Sequence, residues 1–188
     1  MKKLFFGFSL LISTYLIQSC GGGNSNNSAQ DPVDSAKAVN KEVKPVEKDA
    51  SDFAVKAANG GMMEVETGKL AQDKGMNPRV KDFGAMMVKD HGEANNKLKS
   101  VASSLNVALP ESVSDDTKKD IEKLDKKNGK DFDKAYVDMM VDDHEKDVAE
   151  FRKAADNCSD STLREFARQT LPVLEKHLDS IRSIAGKK

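Results

Sequence analysis

Residues 77–106 read NPRVKDFGAMMVKDHGEANNKLKSVASSLN. Asn77 offers a side-chain cap, and Pro78 stands at the first helical position, where its missing N–H leaves no bond unmade. Beyond them Val80, Gly84, Met87, Ala94, Leu98, Val101 and Leu105 recur in steps of three, four and seven, which is one face of a long helix. His91 lies on that apolar face and not on the polar one.

The same reading works outward in both directions. Before this stretch, Phe53, Ala57, Gly61, Gly68 and Ala71 share one helical face between Asp52 and Lys74, and Gly75 stops the run. After it, Pro110 ends the segment, and Ser114-Asp115-Asp116 caps a short connector helix reaching about Lys127, closed by Asn128-Gly129. A third long helix is expected from Lys130 to Asp156, with Tyr136, Met140, Val148, Phe151 and Ala155 on its face. A fourth follows Ser159-Asp160-Ser161 and carries Leu163, Ala167, Thr170, Leu174, Ile181 and Ile184, with a kink or break expected at Pro172. No strand pattern competes. The link between the second and third long helices, roughly 24 residues, can run the length of a bundle and set those two helices parallel. The expected fold is therefore all-α, a ferritin-like four-helix bundle with a short connector helix between helices two and three.

The N-terminus tells where the chain goes. Lys2 and Lys3 precede a mostly apolar run from Leu4 to Ile17 that is too short for a comfortable membrane span and reads as a secretion signal. Its end, Ile17-Gln18-Ser19-Cys20, resembles the lipobox of bacterial lipoproteins, which implies cleavage after residue 19 and acylation of Cys20. Residues 1–19 are then a signal peptide and 20–50 a flexible tether rich in Gly, Asn, Ser and charge. Residues 51–188, roughly 140 in number, form one domain large enough for a real core. The expected location is the cell envelope, anchored to a membrane through lipid, with Gly21 after the cysteine resembling outer-membrane lipoproteins. With Cys20 lipidated, Cys158 has no partner for a disulfide, and it reads as a packing cysteine or a redox handle. The 31 acidic residues slightly outnumber the 30 basic ones, and removing Lys2 and Lys3 widens the gap. Neither basic patches with aromatics nor a basic amphipathic helix is present, so nucleic acid is excluded as a partner. No protein partner or oligomeric state is indicated.

The chemistry sits on the apolar stripes. His91, His144 and His177 are the three histidines of the chain, and each falls on the core face of a different helix. Glu64 occupies the equivalent place on the first helix, while Glu66 is rotated away by about 200°. Counted from their helix starts, His91 and His144 differ in height by about 1.5 Å, and the pairs within each hairpin by about 4.5 Å. Four polar groups at one level need either a bound ion or a closed, proton-sharing hydrogen-bond network. A repeat reinforces the pattern: Met86-Met87-Val88-Lys89-Asp90-His91 returns as Met139-Met140-Val141-Asp142-Asp143-His144. Asp90 and Asp143 are candidates to orient the imidazoles from behind, or else surface charges. Met87 and Met140 share the face of their histidines, and Met62 and Met63 flank Glu64, which suits copper or simply a pliable core.

Gly60-Gly61-Met62-Met63-Glu64-Val65-Glu66, Met87-Val88-Lys89-Asp90-His91, Phe132 through Tyr136 with Asp143-His144, and Leu171-Pro172-Val173-Leu174-Glu175-Lys176-His177 resemble motifs of the bacterial domain-of-unknown-function family 4142, in order, over about residues 51 to 185. The resemblance implies an exported, ferritin-like bundle and supplies no reaction. Di-iron bundles use Glu-x-x-His pairs, but the residues three before the histidines are Val88, Val141 and Leu174, all apolar. One transition metal ion on Glu64, His91, His144 and His177 fits better, and zinc, iron, manganese and copper all accept that donor set. Three functions stay open: an envelope metal-binding protein, a structural or interaction lipoprotein whose polar core fixes helix register, and a metalloenzyme. No nucleophile elbow, phosphate loop or Cys-His arrangement supports the last, so enzyme activity is not expected.

Overall fold

The computed structural model describes residues 30–186 and shows six helices: α1 Pro32–Val43, α2 Lys48–Lys74, α3 Pro78–Ser104, α4 Asp115–Asp125, α5 Gly129–Asn157 and α6 Ser161–Ala185. Asn77 caps α3 by accepting from the Arg79 N–H, Ser114 caps α4 through the Thr117 N–H, and Asp160 caps α6 through the Thr162 and Leu163 N–H groups. The long helices are therefore α2, α3, α5 and α6, with α4 as the connector. Among the described residues there is no strand, and no helix is long and apolar enough to cross a membrane.

Paired side chains give the topology. α2 and α3 form one hairpin and α5 and α6 another. Between the hairpins, Arg79 meets Ser183 and Lys97 meets Gln169, so α3 and α6 run antiparallel. Lys56 meets Glu150, and Asp133 accepts from the Asn77 N–H just beyond the end of α2, so α2 and α5 are antiparallel too. The helices α3 and α5 consequently run parallel across the diagonal, the ferritin-like order, joined by the long crossover that contains α4. The core is filled by Phe53, Phe83, Leu98, Phe132, Phe151, Leu163, Leu174 and Ile181. Phe53 packs edge-on against Phe151 with centroids 5.1 Å apart.

The backbones of α2 and α3 come close together at Gly68 and Gly84. A Cβ built on Gly84 would lie 2.6 Å from the Gly68 carbonyl oxygen, and one on Gly68 would lie 2.8 Å from that of Gly84. Backbone cannot swing aside as a side chain can, so Gly84→Ala must part the hairpin. The expected loss is about 1–3 kcal/mol of unfolding free energy, read as a lower urea midpoint. A midpoint equal to wild type would show that the hairpin tolerates the methyl.

Two expectations are corrected. The stretch expected to be tether through residue 50 is helical in part: Pro32–Val43 is α1, and α2 already begins at Lys48. It was hidden because polar bonds, not an apolar stripe, hold it. Asn40 is buried and bonds the Ala108 backbone in both directions, at 2.9 and 2.8 Å, while Asp31 caps α1 and also accepts from the Asp115 N–H at 2.7 Å. Secondly, of the kink or break expected at Pro172 the break is absent, since α6 continues through it. Pro172 and Arg168 are exposed, so water can satisfy the carbonyl that the proline leaves without a donor. The signal peptide and Cys20 lie outside the described residues.

Candidate metal centre

Each long helix delivers one polar group to the bundle interior: Glu64 from α2, His91 from α3, His144 from α5 and His177 from α6, all buried, with Glu64 and His144 at 0% exposure. The three imidazole centroids are 5.2, 5.5 and 5.7 Å apart. Phe83 lies edge-on to His144 and His177, so one wall of the site is dry.

Hydrogen bonds fix the tautomers. His144 Nδ1–H donates to the Met140 carbonyl at 3.0 Å, one turn back on the same helix, which leaves Nε2 bare. That Nε2 is 3.4 Å from Glu64 Oε1. His177 Nε2–H donates to Asp90 Oδ2 at 3.0 Å, and the Asp90 carboxyl is held below its ordinary value by its bonds to His177 and Lys89 against the opposing effect of burial. His177 Nδ1 is then an acceptor, and His91 Nε2–H reaches it at 3.3 Å. His91 Nδ1 is bare in turn, and it faces Glu64 Oε2 at 2.5 Å. Acceptor meets acceptor there, so a proton or another cation must lie between them.

Burial dominates the electrostatics. It pushes His91 down to about 4, His144 to about 3 and His177 to about 4, so all three imidazoles are neutral at pH 7 and able to ligate. It drives the Glu64 carboxyl well above its ordinary value, with Asp143 adding to the effect. Both Glu64 oxygens, His144 Nε2, Asp143 Oδ2 and the Tyr136 hydroxyl are buried with no hydrogen-bond partner among the described residues. Five orphaned polar atoms around one centre would each cost about 1–3 kcal/mol if nothing filled it.

Two donor sets arise, His91 with His144 and His177, and Glu64 with Asp143 and His144; within each set one atom per residue lies within 4.8 Å of the others. These separations suit a shared ion, because donors about 2.0–2.2 Å from a metal stand only a few ångströms apart. A cleft of about 300 Å³ between α3 and α6, bordered by Asp90, Glu93, Lys97 and Thr170, opens onto His91 and His177.

Asp90 lies behind an imidazole, but that of His177 on the next helix and not its own neighbour His91. Asp143 accepts from no imidazole and turns instead to Glu64, since the α5 face that carries it is packed on α2. Sequence reasoning missed Asp147, whose carboxyl is driven well above its ordinary value by burial and by Glu64 and Asp143. It stands three residues after His144, a core-facing step, and that spacing is the signal for it. Tyr136 reads from sequence as plain core, and its unpartnered hydroxyl is visible only in the structure. Cys158 is a free, buried thiol at the end of α5, raised by burial away from thiolate reactivity.

A family model described as a domain of unknown function, DUF4142, matches residues 35–184. No curated protein matches the chain. Two crystal structures of DUF305 proteins share the fold. A fragment from Deinococcus radiodurans has a TM-score of 0.66 at 11% identity, over 76% of this chain and 98% of that one. A protein from Streptomyces coelicolor, described as secreted, has a TM-score of 0.61 at 17% identity, also over 76% of this chain and 98% of its own.

Proposed function

The chain belongs to the DUF4142 family, and on that premise we propose that it is an exported envelope lipoprotein that binds one transition metal ion through Glu64, His91, His144 and His177. The observation that carries this reading is the fully buried Glu64, whose two oxygens have no donor and face the bare nitrogens of His91 and His144. Zinc, iron, manganese and copper(II) all accept three imidazoles and a carboxylate, and Asp90 holds His177 in the tautomer that turns Nδ1 to the centre. Burial favours the protonated Glu64 carboxyl, so an ion that takes its oxygens displaces that proton and binding releases it. Storage, buffering or sensing of the ion in the envelope is the role we infer, because the four donors are buried and, of them, His91 and His177 alone border the cleft between α3 and α6. Export is supported by the charged, apolar N-terminal segment ending at Cys20 and by likeness to a protein described as secreted.

One observation favours a second reading. A proton on Glu64, which burial promotes, would bridge it to His91 and close the network without an ion, making the polar core a device for fixing helix register. Elemental analysis of the untagged protein after desalting separates the two. Metal binding predicts an equivalent of transition metal in the wild type and none in Glu64→Gln or His144→Ala. Metal-free wild type after loading with zinc, manganese, iron or copper would leave the register reading standing.

A further inference from the structure

His91 and His177 stand at one end of the cleft between α3 and α6. Lys97 lies six residues further along α3, about 9 Å at the helical rise, and bonds Gln169 of α6 across the cleft, where both side chains are exposed. Ala94 on α3 and Val173 on α6 line the stretch between. The lining carries two carboxylates, Asp90 and Glu93, against the one ammonium of Lys97, a balance that admits a cation. A divalent ion with six waters needs about 180 Å³ at about 30 Å³ per water. The cleft of about 300 Å³ therefore takes the ion with its hydration shell.

The remaining donors have no such approach. Glu64 and His144 have no exposed surface, and Phe83 lies against His144. Clefts of about 350 Å³ beside Lys56 and Glu150 and of about 570 Å³ beside Asn95 and Leu109 border none of the four donors. The His177 ring stands between the α3–α6 cleft and the centre. Its Nε2–H bonds Asp90, a side chain 24% exposed, and its Nδ1 is turned to His91 Nε2 at 3.3 Å. Turning that ring aside breaks these two hydrogen bonds, whereas parting the hairpins exposes the core. The local opening is the smaller of the two and the more frequent.

We propose that the α3–α6 cleft is the passage by which the ion enters and leaves the folded protein, with the Lys97–Gln169 contact as its outer bar and the His177 ring as its inner gate. The inference rests on the metal-binding reading above and adds the route to it. A passage has a kinetic signature that a ligand lacks: narrowing it raises the barrier equally in both directions, so uptake and release slow together while the affinity stays the same.

The test uses Co²⁺, whose visible absorption changes when imidazoles replace water around it. Metal-free full-length protein is mixed with Co²⁺ in a stopped-flow cell, release is followed after excess chelator is added, and the unfolding rate of the loaded protein is measured by a jump into urea. Release from the wild type is expected to outpace unfolding. Ala94→Phe, which fills the passage without touching a donor, should slow uptake and release alike by about tenfold or more, a barrier higher by about 1.4 kcal/mol, with Kd unchanged. Lys97→Ala, at an exposed position, should speed both, and it decides the matter should Ala94→Phe fail to fold. Unchanged rates in both variants, a changed Kd with unchanged uptake, or a release no faster than unfolding would overturn the passage and leave the metal centre in place. No Co²⁺ bound by the wild type would overturn the centre itself.

Discussion

Chelation is expected to lower the melting temperature of the wild-type protein by on the order of 8–16 °C, and that of His144→Ala not at all. An ion that binds only the folded state, present at a thousand times its Kd, contributes about 4.1 kcal/mol. In a chain of this size each kcal/mol moves the melting temperature by roughly 2–4 °C. The effect is large because the donors come from four helices, so the unfolded chain has no comparable site. His144→Ala removes the one donor common to both candidate sets. It also leaves a cavity that destabilises the fold by itself, so the informative quantity is the chelation shift within each protein. Equal shifts in wild type and variant, or a wild type indifferent to chelator after metal loading, would sink the reading.

The metal-free protein is also expected to lose stability as pH rises above about 6.5, opposite to a domain held by salt bridges. Two groups of residues act with opposite sign. The histidines titrate near 6.5 when unfolded and at about 4, 3 and 4 when folded, so their contribution is lost as pH falls through this window and is complete above it. Glu64, Asp143 and Asp147 are raised in the fold by burial, Asp143 to about 6 and the other two well above their ordinary values, so their contribution is fully present below the unfolded carboxyl values and is lost as pH rises. Above pH 6.5 only the carboxyls remain, and each group still protonated in the fold removes about 1.4 kcal/mol per pH unit. Bound metal reverses the slope, because the ion competes with protons for the same atoms. Urea midpoints at pH 6.5 and 8, with chelator and with zinc, measure both slopes. A metal-free protein that gains stability between these values would show that the carboxyls are not held protonated.

Much of this was legible in the sequence, for a physical reason. The bundle has one apolar stripe per long helix, and a stripe records burial at fixed steps whichever helix lies opposite. His91, His144, His177 and Glu64 stand on those stripes, so their convergence could be read by counting. The roughly 24-residue link limited the topology by reach alone. What failed was whatever depends on two elements at once. α1 escaped because Asn40 is held by the backbone of Ala108, a partner remote in sequence. Asp90 and Asp143 have similar local sequences, yet the neighbouring helix gives one an imidazole and the other a carboxylate. Pro172 reads as a breaker because sequence does not show that the freed carbonyl lies on the exposed face.

The crossover that contains α4 divides the donors evenly, Glu64 and His91 on the first hairpin, His144 and His177 on the second. Neither hairpin alone encloses the centre. Enclosing all four donors therefore requires the two hairpins to be docked, which closes the long loop between them. On the proposed metal-binding reading, an ion is enclosed by all four donors only once the hairpins have docked, so the compartment that hosts the docking would choose the metal. If the chain is exported unfolded, as the proposed reading allows, that ion would come from the pool outside the cytoplasm, and the metal recovered with the protein would report on the place where it finished folding.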